Sequence, residues 1–144
     1  METAASAFAT KVLDAAVRNA EDIARAVDAL GHEPNGGLIV LPSPAVGTHR
    51  DLIVALAARH HLPAVSPFRD YVAASLLASY GVDNVELFRR AASYVDRILK
   101  GERPGDLPVQ MPTKFELVIN LKIARMLGLD PPITLLARTD EVIE

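Results

Sequence analysis

The feature that most constrains the fold is an alternation of short apolar runs, rich in β-branched residues, with longer stretches of helical period. This alternation is typical of βα units around a parallel sheet, because such strands are buried on both faces and each helix covers the sheet with one face. The sequence therefore predicts a single α/β domain over residues 1–144, with a doubly wound, Rossmann-like parallel sheet.

The first half of the chain is predicted to fold as β-α-β-α-β. Residues 38–41 are apolar at every position rather than at alternate positions, which predicts a strand buried on both faces of the sheet. The predicted elements are a strand at 10–17, a helix that Asn19 caps and Gly31 ends, a strand at 38–41, a helix from Thr48 or His49, and a strand at 62–65.

The second half adds further helices and strands around a Pro/Gly-rich connector. Its long helix carries apolar residues in one stripe, so Phe88 and Tyr94 are expected in the core. The predicted elements are a helix at 68–74, a strand at 76–80, a helix from Asn84 to Leu99, the connector at 101–112, a strand at 115–120, a helix at 121–127 and a tail ending in a helical segment.

Composition excludes several classes of function. The net charge is -3 and the 15 Lys and Arg residues are scattered among acidic ones, so no nucleic-acid partner is expected. The chain has no Cys, which removes disulfides and thiol nucleophiles. His60 and His61 point about 100° apart on a helix and have no third ligand at a useful spacing, so neither a metal nor a cofactor is expected. No catalytic motif is present either, and the sequence does not predict an enzyme.

Polar and aromatic residues follow two successive predicted strands. Ser43 and Pro44 follow the strand at 38–41, and Ser66 and Phe68 follow the next one. Ligands of open α/β sheets bind beyond the carboxyl ends of the strands, where helix N-termini offer free N–H groups to a carboxylate. The sequence therefore predicts a small-solute site there, while capping of the turn and helix by Ser43 explains the same residues equally well.

Several neighbouring residues extend the predicted site. His49 and Arg50 stand at the start of the following helix, and Tyr71 adds an aromatic group near the same edge. Tyr80 ends the next predicted strand and adds an aromatic ring with a hydroxyl group, and Gly81 follows it. An apolar pocket with a few convergent polar groups is what a small-solute site requires.

The order and wording of several segments are specific enough to indicate a family. The segments are GLIVLP, LIVALAARHHLPAV, SYG, FRRAASYVDRILKG, LPVQMPTKFELVIN and LLARTDEVI. From about Val12 to Glu144 the chain resembles the substrate-binding proteins of bacterial ABC importers, in the branch similar to type I periplasmic binding proteins. The resemblance implies two α/β lobes that close on a small solute, often an amino acid, and a membrane permease that recognises the closed form.

The resemblance also implies that the chain is incomplete, because such proteins are roughly twice as long. It corresponds to the C-terminal lobe, the hinge crossover and the C-terminal segment, and Tyr80-Gly81 falls where the family shows its S-Y-G segment near the ligand. The resemblance implies a periplasmic location. The N-terminus shows no export signal and no membrane segment, so a complete chain of this sequence is expected in the cytoplasm.

A lobe without its partner exposes apolar surface, so a symmetric homodimer is expected. The long connector at 101–112 suggests that residues 115–144 exchange between two copies. Two functions remain open at this point. One is solute binding without chemistry, and the other is a dimeric interaction or scaffold domain that has kept the fold and lost the solute.

Overall fold

The computed structural model describes residues 10–144; residues 1–9 lie outside the described residues. The strands are β1 (Leu38–Ile39), β2 (Ala64–Ser66), β3 (Ala78–Val82), β4 (Phe115–Asn120) and β5 (Glu141–Ile143). The helices are α1 (Ala20–Gly31), α2 (Pro44–Thr48), α3 (Arg50–Arg59), α4 (Arg69–Ala73), α5 (Asn84–Leu99), α6 (Leu121–Met126) and α7 (Ile133–Leu136), with one 3₁₀ turn at Pro104–Asp106.

The five strands form one sheet in the order β1-β2-β3-β4-β5. Strands β1, β2 and β3 are parallel, β4 runs antiparallel to β3, and β5 is parallel to β4. The α/β class with a mostly parallel sheet is confirmed. The carboxyl ends of β1, β2 and β3 and the amino ends of β4 and β5 lie together, and we call this side of the sheet the carboxyl edge.

The core lies where α1 and α3 pack against each other and against the sheet. Ile23 and Val27 of α1 meet Ile53 and Leu56 of α3, and each of the four is at most 4% exposed. The predicted cap is confirmed, since the side chain of Asn19 accepts a hydrogen bond from the amide of Asp22 at 2.9 Å. Apolar stripes at helical spacing thus account for both helices.

The strand predicted at 10–17 is wrong. Residues 10–18 have no regular secondary structure, and Val12 and Leu13 are exposed. A strand needs a neighbouring ladder to satisfy its backbone. Within the described residues, β1 pairs on one side only, with β2, and residues 10–18 form no strand ladder with its other edge.

The run at 38–41 is not buried on both faces, which corrects a second prediction. Val40 is 5% exposed on the helix side, whereas Ile39 is 62% and Leu41 is 49% exposed. Helices α1 and α3 cover the face that carries Val40, and Ile39 and Leu41 point to the other face, which has no comparable cover. An apolar run indicates which residues favour burial but does not show that both faces are covered.

Helix α5 departs furthest from expectation. Its N-cap is Asp83 rather than Asn84, because the Asp83 side chain accepts from the amide of Glu86. No α5 residue is buried, and Phe88 is 78% exposed, so the prediction that Phe88 and Tyr94 lie in the core is wrong. The Tyr94 hydroxyl instead donates to the carbonyl of Pro108, which ties the connector along one side of the helix.

The C-terminal tail ends in a strand, not in the predicted helix. Residues 141–143 pair with residues 118–120 of β4, and the Asp140 carboxylate accepts from the amide of Leu117 at 2.8 Å. The open edge of β4 offers a ladder, and this outweighs local helix propensity. β4 itself pairs with β3 of the same chain, so residues 115–144 return to their own sheet. The exchange of this segment between two copies stays a prediction.

Candidate functional site

A cleft of about 740 Å³ opens at the carboxyl edge of the sheet. Its walls come from the turn and helix after β1, from the first turn of α3 and from the segment after β2. These segments meet because β1 and β2 are parallel neighbours whose carboxyl ends lie side by side. The lining residues are Pro42, Ser43, Pro44, Val46, Gly47, Thr48, Arg50, Asp51, Phe68, Asp70 and Tyr71.

Ser43 builds one wall by capping α2. Its Oγ accepts from the amide of Val46 at 3.2 Å, and its carbonyl accepts from the amide of Gly47 at 2.9 Å. Pro44 occupies the first helical position and has no N–H to donate. The capping role considered for Ser43 in the sequence analysis is therefore present. It occupies the amides of Val46 and Gly47, which belong to the helix N-terminus that was predicted to bind a carboxylate.

The charged floor of the cleft is an arginine between two carboxylates. Arg50 donates to Asp51, with Nε at 3.0 Å and Nη2 at 2.9 Å from Oδ1, and its Nη1 lies 3.3 Å from Oδ2 of Asp70. The hydrogen bond that Arg50 donates to Asp51, followed by the one that it donates to Asp70, raises the pKa of the guanidinium above its ordinary value. Arg50 thus remains a cation, and the carboxylates of Asp51 and Asp70 balance its charge.

Two aromatic rings form the other wall. Phe68 and Tyr71 stack with centroids 6.4 Å apart, and Phe68 is 37% exposed towards the cleft. The hydroxyl of Tyr71 donates to the carbonyl of Val46 at 3.1 Å, which joins the two walls. Burial, and to a lesser degree the charge of Asp70, raises the pKa of this hydroxyl, so Tyr71 acts here as a neutral donor.

The structure brings together part of the predicted ligand set. Ser43, Pro44 and Phe68 line the cleft. Ser66 lies beneath it, 1% exposed, where its Oγ accepts from the amide of Phe68 at 3.3 Å and shapes the turn after β2. Its part in binding stays a prediction.

Tyr80 and Gly81 lie on β3, outside the residues that line the cleft. The ring of Tyr80 is stacked on Phe115 with centroids 5.8 Å apart, as same-face residues of neighbouring strands can be. A Cβ at Gly81 would stand 1.9 Å from the carbonyl oxygen of Pro67, so only glycine fits beside the turn after β2. A direct contact of either residue with solute stays a prediction.

Sequence reasoning missed two carboxylates of the cleft, Asp51 and Asp70. Both follow residues that it had noted: Asp51 stands after Arg50, and Asp70 stands one helical position before Tyr71. The available signal was charge balance, because an arginine that lines a cleft is stabilised by nearby carboxylates.

His60, the first residue of the histidine pair, has a structural role. His60 ends α3, and its Nε2 lies 2.7 Å from Oδ1 of Asp28 on α1. The part of the chain that the structure describes holds no group of three or more His, Cys, Asp or Glu side chains arranged to bind a metal ion. His60 therefore links two helices.

The sequence profile of the family described as ABC transporter substrate binding protein matches residues 1–143. The chain belongs to this family. No curated protein matches the sequence. The chain spans about half the length of the solved structures to which it is similar.

Three solved structures illustrate the similarity. A conserved domain protein from Vibrio cholerae is 27% identical with a TM-score of 0.85, over 98% of this chain and 47% of that one. An ABC domain from Streptococcus pneumoniae, in complex with L-Trp, is 24% identical with a TM-score of 0.83, over 98% and 49%. A ligand-free, open substrate binding protein with adhesive properties from Clostridium difficile is 19% identical with a TM-score of 0.67, over 99% and 47%. The last two support the fold alone.

Among residues 10–144, no helix is both long and apolar enough to cross a membrane.

Proposed function

We propose that this chain is the solute-binding part of an ABC importer and holds a small amino-acid-like or carboxylate ligand without chemistry. The observation that carries the proposal is the cleft at the carboxyl edge, which combines a paired arginine with an aromatic wall. Apolar clefts with few polar groups are typical of small-ligand sites. Membership of the ABC transporter substrate binding protein family supports the same function, and the L-Trp complex of a structure with the same fold suggests amino acids as the first ligands to test.

The domain organisation that fits this function is a C-terminal lobe with its crossover. All lining residues lie between positions 42 and 71. This fits one lobe of a two-lobed site, in which another part of a longer protein supplies the facing wall of the cleft. The similar structures are about twice as long, which leaves room for a second lobe. In that setting a permease in the membrane is the partner, and the periplasm is the location.

Binding without chemistry agrees with how the cleft's hydroxyl groups are used. The Oγ of Ser43 caps α2, the hydroxyl of Thr48 donates to the carbonyl of Pro44 at 2.9 Å, and that of Tyr71 donates to Val46. A nucleophile needs an adjacent base in hydrogen-bond reach. Each of these hydroxyls is committed to backbone atoms instead, which favours a binder over an enzyme.

Calorimetric titration of the chain with the twenty amino acids tests the proposal. We expect saturable binding of at least one, and a Phe68→Ala variant that binds it about tenfold more weakly, because part of a buried aromatic contact is lost. Phe88→Ala is the matched control, since Phe88 is 78% exposed on α5 and lies outside the cleft. Absence of binding to every amino acid, both by this chain and by a version with both lobes, or equal weakening by both variants, would contradict the proposal.

A second function, an interaction or scaffold domain that dimerises, is favoured by one observation. Val85, Phe88, Val95 and Leu99 recur along one face of α5 and are 66%, 78%, 54% and 81% exposed. Their spacing matches the seam of a helix pair. Two copies of α5 packed antiparallel across this seam would present the same apolar face to each other, which is the self-complementarity a C2 dimer needs.

Light scattering tests this second function. The dimer hypothesis expects about twice the 15.5 kDa of one chain at micromolar concentration. Phe88→Asp should give the monomer mass because it places a charge in the seam. Val109→Asp is the control, since Val109 is 95% exposed on the connector rather than on the seam. A monomer mass for the unmodified chain would exclude the dimer.

A further inference from the structure

We propose that the cleft recognises its ligand through a protonated amine held by Asp70, and that a ligand with a carboxylate alone is bound weakly. This inference rests on the proposed solute-binding function, because it assigns the chemical class of the solute at the same cleft. It selects between the amino-acid-like and carboxylate ligands that the function leaves open. Three observations on the described residues carry it.

The first observation is that part of the donor capacity at the two helix starts is already used. In the first turn of α2, Pro44 has no N–H, the amide of Val46 donates to Oγ of Ser43, and the amide of Gly47 donates to the carbonyl of Ser43. The first turn of α3 contains Asp51, whose negative charge already interacts with that helix terminus. A carboxylate at the start of α2 would therefore find fewer open amides than a free helix N-terminus offers, and one at the start of α3 would approach a like charge.

The second observation is the charge of the lining. Arg50 is cationic while Asp51 and Asp70 are anionic, so the lining carries one negative charge in excess. Arg50 is bonded to both carboxylates and has little attraction left for a third. A cleft with this balance attracts a cation and repels an anion at contact distance.

The third observation is the position of Asp70. Its single bond to Arg50 is long, at 3.3 Å, whereas Asp51 lies at 2.9 and 3.0 Å from two nitrogen atoms of the same guanidinium. The side chain of Asp70 is 57% exposed, and a carboxylate has about four acceptor positions. Oxygen lone pairs of Asp70 thus remain open to the cleft, beside the partly exposed ring of Phe68, which favours a cation and an apolar body.

Two matched sets of three probes test the inference by calorimetry on the 144-residue chain. The first set is L-tryptophan, tryptamine and indolepropionate, and the second is L-leucine, isopentylamine and isocaproate. In each set the body is the same, while the amine or the carboxylate is removed. In the set whose amino acid binds, we expect the amine to bind about tenfold or more tightly than the carboxylate, because a charge-assisted hydrogen bond distinguishes them.

A pair of variants with equal change in net charge assigns the effect to one residue. Asp70→Asn should weaken the amine and strengthen the carboxylate, because Arg50 is then less neutralised. Asp130→Asn is the control, since Asp130 is exposed and lies outside the cleft. It should leave both affinities within about twofold of the unmodified chain, as expected for a distant screened charge.

The outcomes separate the inference from the function. Equal binding of the amine and carboxylate probes, or an Asp70→Asn variant that behaves like Asp130→Asn, overturns the inference while solute binding stands. Silence towards every amino acid and both amines, in this chain and in a version with both lobes, overturns the function and the inference together.

Discussion

Helices α3 and α5 have similar sequence patterns and opposite fates. Each carries apolar residues at helical spacing, and α5 is both the more strongly amphipathic and the longer, with 16 residues against 10. Yet Leu56 of α3 is 3% exposed, while Leu99 of α5 is 81% exposed. The comparison teaches that an apolar stripe shows which face of a helix favours cover. It does not show whether the same chain provides the cover.

Topology explains the difference. Helix α3 joins β1 to β2, which are parallel neighbours, and a crossover between parallel strands must pack back onto the sheet. Helix α5 joins β3 to β4, which are antiparallel neighbours, and such strands need no crossover over the sheet face. The chain is therefore free to leave the carboxyl edge as α5 and to return along it through the connector.

The sharpest way to break this comparison is one substitution made in both helices. Leu56→Ala removes a buried side chain, so we expect it to lower the free energy of unfolding by about 2–5 kcal/mol. Leu99→Ala makes the same chemical change at an exposed position and should alter it by about 0.5 kcal/mol or less. Urea unfolding monitored by circular dichroism measures both.

The paired result also tests what covers α5. A Leu99→Ala cost that approaches that of Leu56→Ala would show that α5 is buried in solution, by a second copy or another segment. If that cost grows with protein concentration, the cover is another chain. A small cost at every concentration would keep the contrast as described.

The fold was predictable where patterns are local and a partner is near in sequence. Asn19 caps α1, and the apolar spacing of α3 marks its buried face. The pattern failed where pairing is non-local: residues 10–17 lack a ladder, and residues 141–143 find one on β4. Strand formation depends on neighbours, and a single sequence does not reveal them.

The cleft was predictable in place but not in charge. Strand ends at one edge indicated Ser43, Pro44 and Phe68, which do line the cleft. The contact between Arg50 and Asp70 joins residues 20 positions apart in sequence and depends on how α3 and α4 sit on the sheet. That geometry decides whether Arg50 is free for a carboxylate, and spacing alone does not specify it.

A smaller effect is expected where α5 leaves the sheet. Asp83 is 7% exposed, its Oδ2 accepts from Nζ of Lys114 at 2.7 Å, and its Oδ1 accepts from the amide of Glu86 at 3.0 Å. The bond from Lys114, and then that from Glu86, lowers the pKa of the Asp83 carboxyl. These bonds fix the first turn of α5 to the residue that precedes β4.

A lowered folded-state pKa sets the sign of the pH dependence. The stability from Asp83 is fully present above the unfolded-state pKa of about 4, and it is lost as the pH falls below that value through the lower folded-state pKa. Free energies of unfolding measured from pH 7 to pH 2 should fall less steeply below about pH 4 in Asp83→Asn than in the unmodified chain. Asp130→Asn, which removes an exposed carboxylate, should keep the steep fall. If Asp83→Asn follows the unmodified chain over the whole range, the link to Lys114 does not hold α5 to the sheet, and the contrast between the two helices extends to the first residues of α5.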